Sequence, residues 1–296
     1  MSTNSLPPPC APEVAETLGL AGLTIFPIPK TNIATTVHKY AQERYHQLKE
    51  GTSVEETLIF IGATTAHIHA IEQAGKLPGR ITFFGEDQGK GLLFFRMPRP
   101  IHEIAHNRLF LEIWEWVVKL GLKEDCRPVG ASTYEATGNC KKEGDSGIRP
   151  DPPRKYGNSF PTLAIETGNS QSYPRLLKDK DWWFDNSPPS MPQGDVKVVI
   201  IIKVYSSSKR ILLEQWHRNH ESASQTVIIK PNSENAFSIE KEDWQTHWVV
   251  EGAPFKINFE DIFLRPKKRR ERHFILNEQD LAKLAIFCWQ AGEKCG

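Results

Sequence analysis

DSGIRPDPPRKYGNSFPTLAIETG, residues Asp145–Gly168, and DVKVVIIIKVY, residues Asp195–Tyr205, bracket the stretch whose reading decides the fold. The second run is apolar from Val196 to Val204, with Lys197 near one end and Lys203 near the other. A short apolar run bounded by turn signals is the pattern of a strand buried on both faces, so the centre of a sheet belongs here. The first run holds a shorter apolar segment, Pro161 to Ile165, that ends on Glu166. A carboxylate set directly after a buried strand is costly to desolvate without a partner, a metal or water.

Between the two runs, QSYPRLLKDKDWWFDN has a helical pattern. At about 100° per residue, Leu176, Leu177, Trp183 and Phe184 share one broad arc, with Lys180 near its middle and Lys178 and Asp179 pointing away. An ammonium in an apolar arc must snorkel out or meet a carboxylate, and Glu166 is the nearest in sequence. Asp145, Glu166 and Lys180 therefore make a candidate catalytic set. Two carboxylates can hold Mg²⁺ or Mn²⁺, which polarises a phosphate oxygen, while an amine stabilises the charge that develops. Taken alone, the same three residue types also fit an ordinary surface ion-pair network.

The order of helix (IHEIAHNRLFLEIWEWVVKLG), hairpin region, Asp145, strand ending in Glu166, ETGNSQS turn, Lys-bearing helix and long apolar strand resembles the restriction-endonuclease-like PD-(D/E)xK nuclease superfamily. It is most similar to the Uma2-like branch and its fungal relatives, over residues 79 to 218 and more weakly in PFKINFEDIFLR. The resemblance implies an α/β restriction-endonuclease-like core, a central mixed β-sheet flanked by helices, and metal-dependent hydrolysis of nucleic-acid phosphodiesters. It makes Asp145 and Glu166 the metal carboxylates and Lys180 the amine, and it lets the Thr167 to Ser170 turn shape the pocket. It also matches His102 and His106 to histidines of the opening helix. With Glu103 they become auxiliary or proton-transfer groups, or else solvated residues on an outer face. Asp151 is a second candidate acid, but its proline-rich loop favours Asp145. The chain departs from the pattern in Gly144 before Asp145 and in Gly168 two residues after Glu166. These departures motivate the alternative of a catalytically inactive relative serving as a protein or nucleic-acid interaction module.

A net charge of +1 provides no global field toward nucleic acid, so any basic contact surface must be local. Arg149, Arg154, Lys155 and Lys178 are the candidate phosphate contacts, with DNA expected before RNA. Five cysteines without CxxC spacing argue for a reducing interior and against a zinc site. No run is long and apolar enough for a membrane span, so an intracellular protein is expected. The run Lys267 to Arg270 (KKRR) reads as a nuclear-import signal, a phosphate patch or a solvated loop.

Along the chain, residues 1 to 22 read as a disordered tail and 23 to 78 as a helical arm. Residues 79 to 218 read as the core, opening on a hairpin over Arg80 to Met97, and 219 to 296 as a β-plus-helix extension. His67 and His69 are two apart and so face opposite sides of a helix, which gives no metal pair. Arg210 to His217 should pair with the apolar strand before it, and Asn277 with Asp280 should cap a terminal helix.

Overall fold

The computed structural model describes residues 24–50, 56–75, 77–84, 91–97, 100–130, 132–136, 141–154, 157–169, 171–190, 194–232 and 248–292. The expected 1 to 22 tail, Cys10, Cys140, Cys295, the hairpin tip, Lys155 and Ser170 lie outside these residues. The chain divides into two compact units, one of residues 1–99 with 133–143 and one of residues 100–132 with 144–296.

The first unit is built on a six-stranded sheet. In chain order its elements are β1 (Ile25–Pro27), α1 (Ile33–Lys49), β2 (Thr57–Ala63), α2 (Thr65–Gln73), β3 (Arg80–Phe84) and β4 (Gly91–Arg96). The second unit begins with α3 (Pro100–Lys119) and β5 (Cys126–Val129), and the chain then supplies β6 (Thr133–Glu135) and β7 (Lys141–Glu143) to the first. The strand order is β1-β2-β4-β3-β7-β6. Alternation along the strands turns Leu58, Phe60, Ile81, Phe83, Leu93 and Phe95 to one face, where Val37, Ala41, Ile68 and Ile71 of the two helices cover them. His67 caps α2 in a reciprocal pair with Thr64, which gives this histidine a structural use.

The segment expected as a helical arm thus carries two strands, and the hairpin assigned to the core completes their sheet. The physical reason is register. β2 pairs antiparallel with β4 from Thr57↔Arg96 to Ala63↔Gly91, so an apolar run next to a helical pattern finds its partner 28 to 39 residues away.

The second unit continues with β8 (Ser146–Pro150), β9 (Leu163–Gly168), α4 (Tyr173–Asp185), β10 (Val198–Tyr205), β11 (Arg210–His217), β12 (Gln225–Pro231) and β13 (Trp248–Glu251). It closes with β14 (Phe255–Ile257), α5 (Phe259–Phe263), β15 (Phe274–Leu276) and α6 (Glu278–Gly292). Its seven-stranded sheet runs β13-β12-β11-β10-β9-β8-β5, with β14 and β15 pairing separately. β9 and β10 are parallel and joined by α4; their neighbours β8 and β11 are antiparallel, which makes the expected mixed α/β sheet. The order α3, β9, α4, β10 is the expected one, and β8 forms where a proline-rich loop between the two acids was expected.

β10 is buried on both faces from Val198 to Val204. Val198, Ile200, Ile202 and Val204 meet the stripe Ala105, Leu109, Ile113 and Val117 of α3 and the residues Leu281, Leu284 and Cys288 of α6 in one core. The segment expected as an extension is therefore part of the same unit: β12 and β13 lengthen its sheet and α6 fills its core. Cys126 and Cys288 are buried free thiols, each pushed up to about 12 by burial. Among the described residues no helix is long and apolar enough to cross a membrane.

Candidate functional site

Pro100 starts α3, and the first turns place His102 and His106 four residues apart on one helix face. Both rings are buried, at 1% and 2% exposure, whereas the Glu103 side chain is 38% exposed. The face abuts the start of β8. His106 Nδ1 lies 2.8 Å from Ser146 Oγ, and its Nε2 lies 3.2 Å from Glu103 Oε2. His102 Nε2 lies 3.2 Å from Asp145 Oδ2, and the two rings stand edge-on with centroids 5.5 Å apart.

β8 then sets Asp145 against the end of β9. Because Ser146 pairs with Ile165, the preceding residue falls beside Glu166 and Thr167. Asp145 Oδ2 accepts the Thr167 N–H at 2.7 Å. Glu166 is fully buried, and its Oε1 accepts the Trp183 Nε1–H at 2.7 Å from α4. The same indole explains Gly144: a Cβ there would come 2.8 Å from Trp183 Cζ2. Gly168 is equally constrained, since a Cβ would come 2.8 Å from Leu176 Cδ1. A lysine in that in-strand position would have to displace the Leu176 side chain.

Lys180 does not turn toward Glu166. Its ammonium pairs with Asp181 at 2.6 Å and lies over the Trp216 ring, 4.4 Å from the centroid. The indole face of β11 offers the amine a cation–π partner, which an angular count along one helix cannot register. Asp179, expected to point away, is fully buried; Gln171 Nε2 donates to it at 2.5 Å and Arg175 lies 3.7 Å off. On the same side Tyr173 donates to Glu214, and burial with this carboxylate pushes the phenol well above its ordinary range.

Arg154 is not available as a phosphate contact. It is buried, and its guanidinium donates to the Phe160 and Pro161 carbonyls and to Asp195. Burial lowers its pKa, and Asp195 opposes that shift. Arg149 donates to the Gly157 carbonyl at 3.0 Å, and Lys178 is exposed.

One group, Lys203, was not singled out as a site residue in the sequence. Lys203 pairs with Gly168 across β10 and β9, and alternation puts it on the same sheet face as Glu166. Its ammonium donates to the Asn169 carbonyl. A lysine inside an otherwise apolar strand was the available signal. His102, Glu103 and His106, expected as auxiliary or proton-transfer groups, come together on one turn of α3 with His-Glu-x-x-His spacing. One nitrogen of each ring and one Glu103 oxygen lie within 4.8 Å of one another.

No family model matches the chain, and no curated protein matches it in sequence. Among solved structures it is similar to a putative nuclease belonging to DUF820 from Anabaena variabilis ATCC 29413. That likeness has 12% identity and a TM-score of 0.42, and it covers 74% of this chain and 98% of that one.

Proposed function

We propose that this chain is a metal-dependent phosphodiester hydrolase acting on nucleic acid, with Asp145 and Glu166 holding a divalent cation and Lys203 supplying the amine. The observation that carries the reading is the pair of carboxylates buried at 2% and 0% exposure where β8 begins and β9 ends. A carboxylate taken out of water is costly to leave uncompensated, which makes a buried pair of them a candidate functional site.

The donor set fits a hard cation: both groups are carboxylates, and each has one oxygen aimed by an N–H donor, Thr167 for Asp145 and Trp183 for Glu166. When bound, Mg²⁺ or Mn²⁺ would polarise a phosphate oxygen and lower the pKa of its water. Lys203 is the better candidate for stabilising the phosphoryl charge, because it stands opposite Gly168, the position at which the short Glu-x-Lys form carries its lysine. His102 Nε2, 3.2 Å from Asp145 Oδ2, borders the carboxylate pair.

The test is cleavage of plasmid, single-stranded DNA and RNA with Mg²⁺ or Mn²⁺, comparing wild type with Asp145→Asn and Glu166→Gln. Activity is expected on DNA first and should fall at least about 100-fold in either variant, a loss in the range of removing one electrostatic stabiliser. Equal activity in wild type and Glu166→Gln would sink the reading.

A second reading, an inactive relative used as an interaction module, is favoured by one observation: the Trp183 indole lies against Gly144 and bonds the same Glu166 that must meet the metal. Inertness toward all three substrates, together with stable capture of nucleic acid in pull-downs, would select it.

A further inference from the structure

The first two turns of α3 carry a group of side chains that the carboxylate pair does not use. His102, Glu103 and His106 converge with potential ligand atoms within 4.8 Å of one another. Ligands about 2.0–2.1 Å from a tetrahedral zinc are roughly 3.3 Å apart, so the set lies within about 1.5 Å of that spacing. The Nε2 of His106 and the Oε2 of Glu103 already stand 3.2 Å apart.

Two further features point to a ligand. His106 Nδ1 is held by Ser146 Oγ at 2.8 Å, so the ring is oriented through one nitrogen while the other faces Glu103. An outer partner of this kind fixes the tautomer of a ligating imidazole. His102 is 1% exposed, and among the described residues neither of its ring nitrogens makes a hydrogen bond, although Asp145 Oδ2 lies 3.2 Å from Nε2. A buried imidazole without hydrogen bonds is costly unless something else engages it.

We infer that His102, Glu103 and His106 form a binding site for a first-row transition-metal ion of the zinc or cobalt kind, with Ser146 and Asp145 as orienting partners. Two imidazoles select such ions over Mg²⁺, which prefers an all-oxygen shell. The half-exposed Glu103 carboxylate leaves the site open to water on one side, as in zinc sites with three protein ligands and one exchangeable position. The site is argued from residues other than the carboxylate pair of the proposed hydrolase, except that Asp145 borders both.

The experiment uses the full chain freed of metal by a chelator, then titrated with Zn²⁺, Co²⁺ and Mg²⁺ by calorimetry. Metal content and the visible spectrum of the Co²⁺ form are read in parallel. One equivalent of Zn²⁺ or Co²⁺ is expected, with affinity reduced at least about 10-fold in His106→Gln and in Ser146→Ala, each checked for native circular dichroism. X-ray absorption of the zinc-loaded wild type, which needs no variant, should show two imidazoles in the first coordination shell. An all-oxygen shell, absence of binding, or unchanged affinity in the folded His102→Gln, His106→Gln double variant would overturn the site. Tight zinc binding without cleavage supports this site and counts only against the hydrolase. Mg²⁺-supported cleavage by a chain that binds no zinc does the reverse.

Discussion

Trp183 joins two facts about Glu166: the acid is fully buried, and its Oε1 has an indole donor at 2.7 Å. Trp183→Phe keeps most of the ring volume and deletes the donor, so it should cost about 1–3 kcal/mol by leaving a buried acceptor without that bond. Chemical denaturation measures this, and the cost should shrink when Glu166→Gln is already present; additive losses would mean the indole acts by packing alone. The two lysines separate just as cleanly. In the cleavage assay, Lys203→Met should lower activity at least about 100-fold, whereas Lys180→Met, which loses Asp181 and the Trp216 ring, should stay within a few-fold. A comparable loss in both would return Lys180 to the site. The place of Glu166 at the end of β9 was legible because a short apolar run shows where a strand stops, whereas β8 beside Asp145 has too few apolar residues to show itself. The contact of Lys180 with an indole on a strand more than thirty residues later was not legible, because it is a fact of sheet order.

At the scale of elements, signals were read well where alternation or cap spacing marked them. The bounds Arg210–His217 of β11 follow from alternation after a turn, and the reciprocal bonds of Asn277 and Asp280 follow from their spacing. Asn277→Ala should therefore cost about 1 kcal/mol in thermal or urea unfolding through loss of the cap on α6; no change would mean the helix end is held by its core contacts alone. The basic loop before β15 reads differently from its composition. Arg265 grips Glu271 through two bonds of 2.7 Å, and the Lys268 N–H adds a third at 2.6 Å. The Arg265 hydrogen bonds hold the Glu271 carboxyl down at about 2, from an ordinary 4.5. A depressed acid contributes stability that is fully present above its unfolded pKa and is lost as pH falls through the folded one. Wild type should thus exceed Glu271→Gln in Tm by a constant margin above about pH 5, closing between pH 4.5 and 2. A margin independent of pH would show that the carboxylate's charge contributes nothing there.

At the scale of the whole molecule, the two units depend on each other's sequence unequally. β5 and β8 are antiparallel neighbours that meet at Val129↔Gly147, so the chain between them is topologically a hairpin loop. That loop is spent on β6 and β7, and β7 covers the edge of β3 in the first unit through Thr82↔Lys142 and Phe83↔Lys141. Sequence order concealed this, because a short strand of two lysines and a glutamate has no apolar alternation to announce it. The consequence is an asymmetry in what can be cut. A chain of residues 100–296 in which 131–143 is replaced by two glycines closes β5 and β8 with a loop of ordinary hairpin length and keeps every strand of its sheet. It should unfold in one cooperative transition and retain the α3 site. A chain of residues 1–99 loses β6 and β7 and leaves β3, with its buried Ile81 and Phe83, as an open edge. It should aggregate, and adding the peptide 132–144 through a flexible linker should restore a soluble monomer. Size-exclusion chromatography and thermal melts of the three chains decide the matter. A stable, monomeric 1–99 fragment would mean that the inserted hairpin is dispensable, and with it the reason the chain leaves the second unit at Ser132 and returns to it at Gly144.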